Sequence, residues 1–416
     1  MLQAKGYTLS HDPEEICGEY VVVNTCGFIG DAKEESIELL LGVASLKEKG
    51  EVGHIAVMGC LSERYMKELT SEIPEVDFWY GKFDWRGFAR MLPDRRKCIE
   101  PKPWERMLTG DKWNAYIKIS EGCDRFCAFC AIPLITGRHK SRPIDEILEE
   151  TRQLVGEGVR EFNVIAQDLS SYGLDLYGYH ALAELIDRMA GIEGVDWIRL
   201  HYAYPTDFPY DLLPVMARHR NVCKYIDIAL QHVADPVLER MRRHFTGTQT
   251  RELVSRLRRE VPGIRIRTTM LVGFPGETDD DFQKLIDFVR ETKFDRLGAF
   301  AYSEEEGTFA ALHLKDDVPE VVKKQRLDTL MKLQEQIAFS LAEDQIGSQV
   351  KVIVDRIENG RVVGRTEFDS PEVDPEVFIY IPSGIKMPDP GEMVYAQVTA
   401  TEGYDLIAEL VDGERG

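Results

Sequence analysis

Residues 120–133 read SEGCDRFCAFCAIP and place three cysteines, Cys123, Cys127 and Cys130, in one short loop with the spacing Cys-x3-Cys-x2-Cys. Three thiolates can bind three irons of a 4Fe–4S cluster, which leaves the fourth iron open to a bound molecule. The aromatic Phe129 precedes the last cysteine and could pack against an adenine near that open iron. The loop therefore predicts a cluster that does chemistry on a ligand.

A structural zinc site is the other interpretation of this loop. Zinc prefers four closed ligands, and His139 lies downstream, where it could supply the fourth. A three-cysteine loop without a paired Cys-x2-Cys or His-x3-His partner is a poor zinc template. The spacing therefore favours the cluster without excluding zinc.

The sequence around the loop alternates strands and helices. The first predicted strand ends just before the cysteines, and helices separate the strands, so we expect a parallel sheet or barrel. In βα barrels the active site lies at the C-terminal ends of the strands, which is where this loop would lie. The six predicted strands are Ala115–Ile119, Glu161–Ile165, Trp197–Leu200, Tyr225–Ala229, Arg265–Val272 and Asp295–Ala301.

The flanking segments predict two further domains. Short apolar strands at Glu19–Asn24 and His54–Gly59 alternate with helices and indicate an α/β fold. Pro93–Pro103 reads as a linker, and a helix over Val318–Leu341 closes the central region. After about Gly347, alternating apolar residues predict a small antiparallel barrel. We expect domains over residues 1–98, 109–343 and 344–416.

Composition and charge limit the classes of partner and compartment. The 416 residues carry a formal net charge of -21, and no apolar run is long enough to span a membrane. The N-terminus is not a signal peptide, and eight cysteines grouped in short motifs fit a reducing cytoplasm and metal binding. The acidic excess argues against broad contact with a nucleic-acid backbone and favours a basic partner.

Two further cysteines, Cys26 and Cys60, are candidate metal ligands. Each directly follows a predicted strand, so both should lie at the same edge of one sheet, near helix N-termini. That position lowers the pKa of a thiol and lets several sulfurs converge on one metal centre. The alternative is that both are small buried apolar residues. Cys17, Cys98 and Cys223 have no companions at ligand spacing and read as ordinary thiols.

Polar residues at other strand ends are candidates for catalysis or binding. Gln167 and Asp168 should point into the mouth of the barrel, although Asp168 could instead cap the next segment. His232 also follows a strand and could be catalytic. The alternative is a structural histidine whose ring nitrogens are hydrogen-bonded within the fold. Gly273 lies in a glycine-rich turn that could let the backbone approach a cofactor. Ser303–Thr308 could be a solvated acidic loop.

Taken in order, these runs resemble the radical S-adenosylmethionine (SAM) methylthiotransferase family over nearly the whole chain. The resemblance implies a flavodoxin-like α/β domain, a partial (βα)6 radical SAM barrel of the TIM type and a C-terminal TRAM β-barrel. It implies two 4Fe–4S clusters, one that binds SAM at Cys123, Cys127 and Cys130 and an auxiliary one at Cys26 and Cys60. The matching runs are Asn24–Ile29, Gly59–Tyr65, Glu121–Pro133, Ala166–Gly173, Tyr225–His232, Val272–Thr278 and Phe300–Thr308.

The resemblance also implies a substrate class. The MiaB branch of the family methylthiolates an adenosine in tRNA, and the RimO branch methylthiolates the β-carbon of an aspartate in small-subunit ribosomal protein twelve (uS12). Four stretches are similar to the RimO branch: Leu200–Pro205, Tyr225–His232, Ala299–Thr308 and Asp369–Asp374. Charge points the same way, because an acidic barrel suits a basic ribosomal protein better than phosphates. The acidic residues of that barrel are Asp355, Glu358, Glu367, Asp369, Glu372, Asp374 and Glu376.

The implied chemistry is the transfer of an alkylthio group. SAM is split to a deoxyadenosyl radical that takes a hydrogen from the target carbon, and the auxiliary cluster carries the sulfur. Phe129, Gln167 and Gly273 are then candidate cofactor contacts, and Gln167, Asp168 and His232 candidate catalytic residues. We expect a cytoplasmic enzyme that takes electrons from a donor such as flavodoxin or ferredoxin, with no membrane and no tRNA among its partners.

One departure from the family pattern affects the auxiliary cluster. The family has three N-terminal cysteines, the first in a Gly-Cys-Pro-Lys-Asn segment upstream of the helix that begins this chain. The chain starts too late to contain it, so we expect either a start further upstream or an impaired enzyme. The alternatives that stay open are a tRNA adenosine methylthiotransferase and a TRAM-containing binding protein without catalytic activity.

Overall fold

The computed structural model describes residues 1–12, 15–27, 30–82, 84–96, 106–382 and 384–411. Cys98, Phe28, Ile29 and most of the predicted linker at Pro93–Pro103 lie outside these residues. The strands in chain order are β1 (Gly18–Thr25), β2 (Val52–Gly59), β3 (Phe78–Trp79), β4 (Asn114–Lys118), β5 (Ser120–Glu121), β6 (Lys140–Ser141), β7 (Glu161–Ile165), β8 (Trp197–Ala203), β9 (Val222–Gln231), β10 (Arg265–Val272), β11 (Arg296–Ala301), β12 (Gln349–Glu358), β13 (Arg361–Thr366), β14 (Val377–Tyr380), β15 (Met393–Glu402) and β16 (Asp405–Val411).

Helices alternate with these strands as the sequence predicts. Two of them begin with capping boxes, at Thr246 and Thr278, in which each threonine hydroxyl accepts a hydrogen bond from the backbone three residues on. None of the described helices is both long and apolar enough to cross a bilayer. The helices are α1 (Gly30–Glu48), α2 (Cys60–Glu72), α3 (Trp85–Met91), α4 (Ile132–Thr136), α5 (Ile144–Gly156), α6 (Leu174–Tyr177), α7 (Leu182–Ala190), α8 (Leu212–Arg218), α9 (Asp235–Arg240), α10 (Gly247–Glu260), α11 (Asp279–Thr292), α12 (Phe309–His313) and α13 (Glu320–Glu343).

The chain divides into two compact units. The first comprises Met1–Thr109, Ala128–Arg138 and Ser303–His313, and the second comprises Gly110–Cys127, His139–Tyr302 and Leu314–Gly416. The predicted boundaries at residues 98, 109, 343 and 344 remain predictions, because the central and C-terminal segments share one unit.

The first unit is built on a parallel sheet in the order β1-β2-β3. The apolar run Ile55–Met58 of β2 is buried, and α1 packs Leu40 and Val43 against it. β1 and β2 pair in register from Gly18 opposite Val52 to Thr25 opposite Gly59. The α/β fold predicted for this segment is confirmed.

The second unit contains a six-stranded sheet in the order β11-β10-β9-β8-β7-β4. All its neighbouring strands are parallel, and helices connect them, as expected for a partial radical SAM barrel. The apolar strand residues Phe162, Val164, Ile198, Ile226 and Ile228 are all fully buried. β4 leads through β5 into the cysteine loop, so the loop lies at the C-terminal end of a strand as predicted.

The C-terminal strands close into a five-stranded barrel in the order β12-β13-β14-β16-β15. The prediction of an antiparallel barrel is right for every pair except β14 and β16, which run parallel with Val377 opposite Leu406. Geometry requires such an exception, because an odd number of strands cannot alternate in direction around a closed barrel. Val352, Val362, Ile379 and other apolar residues fill its interior.

An ionic interlock, formed by Glu161, Arg199, Asp355 and Arg365, joins the six-stranded sheet to the small barrel. Glu161 begins β7 and is fully buried, and it accepts hydrogen bonds from Arg199 and, at 3.0 and 2.8 Å, from Arg365. Arg365 also binds Asp355 at 2.7 Å. Arg199 donates a second hydrogen bond to the Thr366 carbonyl at 3.1 Å.

Most acidic residues of the small barrel pair with arginines of the same unit. Asp369 pairs with Arg296 at 2.6 Å, and Asp374 pairs with Arg267 and accepts a hydrogen bond from Tyr225. Among the other acidic residues of this barrel, Glu367 accepts from the Lys224 backbone, and Glu358 and Glu376 pair with Arg356. Most of the acidic set therefore neutralises arginines of its own unit. Contact of this barrel with a basic partner remains a prediction.

Candidate metal centres

The cysteine loop has an unusual backbone. Gly122, just before Cys123, has φ of 80°, and Phe126, just before Cys127, has φ of 49°. Left-handed conformations are unfavourable for residues other than glycine, and they cluster at functional sites, where surrounding contacts hold them. The boundary between the units falls after Cys127, so Phe129 and Cys130, both half-buried, belong to the first unit.

Asp168 anchors this loop through Arg125. The buried Asp168 carboxylate accepts hydrogen bonds from Arg125 Nε at 2.7 Å, from Ser171 Oγ at 2.6 Å and from the Ser170 backbone at 2.9 Å. Arg125 lies between Cys123 and Cys127, so this ion pair fixes the part of the loop that carries both thiols. Asp168 thus has the contacts of a positioning residue, and its predicted catalytic role remains a prediction.

The Cys127 sulfur has two polar neighbours that the sequence does not suggest. Arg243 Nη1 donates to Cys127 Sγ at 3.3 Å, and the Tyr204 hydroxyl lies 3.6 Å from the same sulfur. Arg243 is only 2% exposed, yet no carboxylate of the described residues lies within ion-pair distance of it. A buried cation needs a negative partner. A thiolate that binds a cluster supplies that charge, so these residues fit an iron–sulfur centre.

Cys123 differs from Cys127 in its electrostatic surroundings. Burial raises the pKa of the Cys123 thiol to about 12, although the backbone and the charge of Arg125 act in the opposite direction. Because metal ligands must be thiolates, such a thiol is deprotonated on binding a cation. The role of Cys123 as a cluster ligand remains a prediction.

The zinc interpretation finds no support at His139. Its Nε2 lies 3.2 Å from Ser141 Oγ and 3.8 Å from Asp175, and its backbone donates to Asp124 at 3.1 Å. In the described parts of the chain, no three His, Cys, Asp or Glu side chains are arranged to hold one metal ion. A closed zinc site needs such a group. In a cubane cluster each thiolate binds a different iron, so its ligands do not have to meet around a single ion.

Cys26 and Cys60 lie at one edge of the first unit's sheet. They directly follow Thr25 and Gly59, which are register partners in β1 and β2. A Cβ at Gly27 would lie 2.6 Å from the Leu61 nitrogen, and one at Gly59, where φ is 113°, would overlap the Thr25 carbonyl. The two glycines therefore allow the two cysteine turns to approach closely. The structure shows the expected position, and the role of the two thiols as ligands remains a prediction.

The segment Ser303–Thr308 is only in part the solvated acidic loop that the sequence allowed, because Glu304 and Glu306 are exposed and Glu305 is not. Glu305 is buried and pairs with Lys33 at 2.6 Å, with Arg64 3.9 Å away. Arg64 also donates to the carbonyls of Glu306, at 2.7 Å, and of Gly27, at 3.4 Å. The loop is thus tied to the turn that follows Cys26.

The remaining predicted site residues have varied surroundings. Gln167 donates to Glu121 at 2.6 Å, and its buried Oε1 has no partner among the described residues, which leaves an acceptor for a ligand. Gly273 donates to Glu277, and a Cβ there would overlap Lys323, so packing against α13 already requires a glycine. The roles of Gln167 and Gly273 in cofactor binding remain predictions.

His232 has the surroundings of a structural histidine, with one exception. Burial lowers its pKa to about 3, and its Nδ1 accepts from the Ala234 backbone at 3.0 Å. The charges that act on it come from Asp281 and Lys284 of α11 and from Arg326 of α13. Its Nε2 has no partner among the residues that the structure describes. Its catalytic role remains a prediction.

Asp227, on β9, should make stability depend on pH. Burial raises the pKa of Asp227 to about 7; Arg267 opposes this and Asp374 adds to it. The Asp227 carboxyl therefore binds its proton more tightly in the folded state than in the unfolded chain. The stabilisation that comes from this tighter proton binding is lost as pH rises from about 4 to about 7. We expect Asp227→Asn to stabilise the protein at about pH 8, relative to wild type, by at least about 1 kcal/mol more than at about pH 5.

Urea unfolding of the full chain at the two pH values measures this difference. Asp145→Asn removes the same charge from an aspartate side chain that is 86% exposed and serves as the matched control. An equal effect of Asp227→Asn at both pH values would contradict the assignment.

Comparison with known proteins identifies the domains and the family of this chain. The model of the radical SAM superfamily matches residues 117–289, that of the TRAM domain matches residues 346–411, and that of the uncharacterized protein family UPF0004 matches residues 1–81. A solved structure of the cobalamin-dependent SAM radical enzyme OxsB is similar, with a TM-score of 0.50 and 14% identity over 78% of this chain and 48% of that protein. At that identity the likeness shows the fold alone.

Curated relatives match over nearly the whole length. The chain is 55% identical over 409 residues to the ribosomal protein uS12 methylthiotransferase RimO of Porphyromonas gingivalis, covering 98% of this chain and 94% of that protein. It is 47% identical over 414 residues to the protein of the same name from Flavobacterium johnsoniae, covering 98% and 92%. These matches favour the RimO branch over the MiaB branch. The chain belongs to the RimO family of radical SAM methylthiotransferases.

Proposed function

We propose that this protein methylthiolates the β-carbon of an aspartate in ribosomal protein uS12. The observation that carries the proposal is the 55% identity, over 98% of the chain, to a protein named for that reaction. The cofactors are those of the family, SAM and two 4Fe–4S clusters. When bound, they supply the one-electron chemistry and the sulfur that the side chains cannot provide.

The residues of this chain hold and shield those groups. Cys123, Cys127 and Cys130 are the proposed ligands of the cluster that binds SAM, and Cys26 and Cys60 are proposed ligands of the auxiliary cluster. The Arg125–Asp168 ion pair keeps the first loop in place. The unpartnered Gln167 Oε1 is the proposed acceptor for a polar group of SAM.

The proposed substrate is a basic ribosomal protein, and the enzyme is then cytoplasmic. The net charge of -21 favours such a partner by long-range attraction and disfavours tRNA. We further propose that a small electron carrier such as flavodoxin or ferredoxin reduces the SAM-binding cluster.

A substrate comparison tests the proposal. Anaerobically reconstituted protein is incubated with SAM, a chemical reductant and a peptide that spans the target aspartate of uS12, and mass spectrometry should show the addition of one methylthio group. The same peptide with alanine at the target position should stay unmodified. Modification of a tRNA adenosine with no change in the peptide would instead assign the chain to MiaB-type activity. SAM cleavage without modification of either substrate would also contradict the proposal.

A further inference from the structure

Arg243 differs from the other buried arginines of the chain. In the described residues, Arg199, Arg243, Arg326 and Arg365 are buried, and each except Arg243 has a carboxylate partner. The Arg243 guanidinium donates to the Ala229 carbonyl and to Cys127 Sγ. Its Nε has no partner among the described residues. Among the described residues, the only group in contact with Arg243 that can become an anion on metal binding is therefore the Cys127 sulfur.

The backbone on both sides of the buried Arg243 is strained. Arg242 and His244, on either side of it, have left-handed φ values of 57° and 54°. Neither residue is a glycine, and such conformations persist only where surrounding contacts hold them. Two exceptions that flank one buried arginine indicate that surrounding contacts hold it in place.

Tyr204 completes the surroundings of the sulfur. Its ring lies between Arg125 and Arg243, whose guanidinium carbons are 4.4 and 4.1 Å from the ring centroid. The Tyr204 hydroxyl is 3.3 Å from the Arg243 carbonyl and 3.6 Å from Cys127 Sγ, so it can donate to either. A thiolate sulfur can only accept, so Arg243 is its cationic donor, and the Tyr204 hydroxyl becomes a second donor when it turns from the Arg243 carbonyl to the sulfur.

We infer that Arg243 and Tyr204 raise the reduction potential of the cluster bound at Cys127. Reduction adds negative charge to the cluster, and hydrogen bonds to its sulfurs and a nearby cation stabilise the reduced form more than the oxidised form. The effect is strong because both donors are buried, where charges are poorly screened. The inference rests on the proposed function only in that Cys127 is a cluster ligand. A higher reduction potential makes it easier for a mild one-electron donor to reduce the cluster.

A redox titration followed by EPR, on anaerobically reconstituted full-length protein without SAM, tests the inference. Tyr204→Phe removes only the hydroxyl and should lower the potential. Arg243→Met removes both the charge and the donors. It should reduce the ratio of reduced to oxidised cluster at a fixed potential about tenfold, which is about 59 mV for one electron. Arg243→Lys keeps the charge and should fall between Arg243→Met and wild type.

Tyr172→Phe is the matched control. Tyr172 is fully buried in the same unit and donates to the Arg142 carbonyl at 2.8 Å. The substitution therefore removes a buried tyrosine hydroxyl that is not bonded to a sulfur. The reduction potential of the cluster in Tyr172→Phe should equal that in the wild type. If Arg243→Met fails to fold, the shift in Tyr204→Phe decides the question.

Iron content and SAM cleavage distinguish the possible failures. Variants that hold a full cluster and cleave SAM, but have the potential of the wild type, would overturn this inference and leave the proposed function intact. A wild-type chain that binds no cluster after reconstitution would overturn both.

Discussion

The Cys127→Ala variant should bind less iron than the wild type and cleave no SAM. Cys127 is one of three thiols at cluster spacing, and its sulfur is the acceptor for the buried Arg243 guanidinium. Removal of the thiol deletes an iron ligand and leaves that guanidinium without an anion. Both effects act against the cluster, so the expected loss of activity is complete. Iron content and the yield of 5′-deoxyadenosine under a chemical reductant measure it.

Cys17→Ala is the matched control for this experiment. Cys17 is exposed and has no companion at ligand spacing, so the same substitution removes a thiol without removing a proposed ligand. It should retain iron and full SAM cleavage. The assignment of the loop would be wrong if Cys127→Ala still cleaved SAM at a rate near that of the wild type.

The sequence predicts the position of the cysteines well because that position depends on local patterns. The apolar residues of β4 mark a strand that ends just before the loop, and the structure places the strand there. Cys26 and Cys60 each follow a short apolar strand, and parallel strands end at the same edge. The register of Thr25 with Gly59 brings the two turns together as that argument requires.

Contacts between residues far apart in the chain are what the sequence does not reveal. Arg243 lies 116 residues after Cys127, in a basic stretch that reads as solvent-exposed surface. Neither its spacing nor its neighbours identify it as a partner of a sulfur. A buried arginine without a carboxylate becomes recognisable only when the burial and the ion pairs of each arginine are known.

The ion pairs of the acidic small barrel are hidden from the sequence for the same reason. Local composition shows an excess of Asp and Glu between Lys351 and Glu376, but it does not show which arginines meet them. Arg365 binds Glu161, which lies 204 residues earlier, and Asp374 binds Arg267, 107 residues earlier. Charge along the sequence therefore indicated a surface for a partner, whereas much of that charge is neutralised within the unit.

The ionic interlock should account for a large share of the stability of the second unit. Glu161 is fully buried between Arg199 and Arg365, so its removal leaves Arg199 buried without a carboxylate and Arg365 with Asp355 alone. Breaking a buried ion pair by deleting one partner costs about 3–5 kcal/mol, because the remaining charge is uncompensated. We expect Glu161→Ala to lower the free energy of unfolding by that amount.

Urea unfolding followed by tryptophan fluorescence measures this loss. Trp197 and Trp113 pack with Ile353 and Met393 between the sheet and the small barrel, so their emission reports on the same interface. Glu291→Ala is the matched control, since Glu291 pairs with Arg251 on the surface and its side chain is 64% exposed. A surface pair of this kind contributes about 1 kcal/mol or less.

The effect of Glu161→Ala should also depend on pH in a defined direction. Burial alone would raise the pKa of Glu161, but the Arg199 and Arg365 guanidiniums outweigh it and hold that pKa below its ordinary value. The stabilisation by the ionised Glu161 is therefore fully present at pH values above the pKa of an unfolded glutamate, which is about 4.3. It is lost only as pH falls through the lower pKa of the folded state. The difference between wild type and Glu161→Ala should be constant near neutral pH and shrink in strong acid. A difference as small as that of Glu291→Ala, or one that grows as pH falls, would show that the interlock does not hold the small barrel to the sheet.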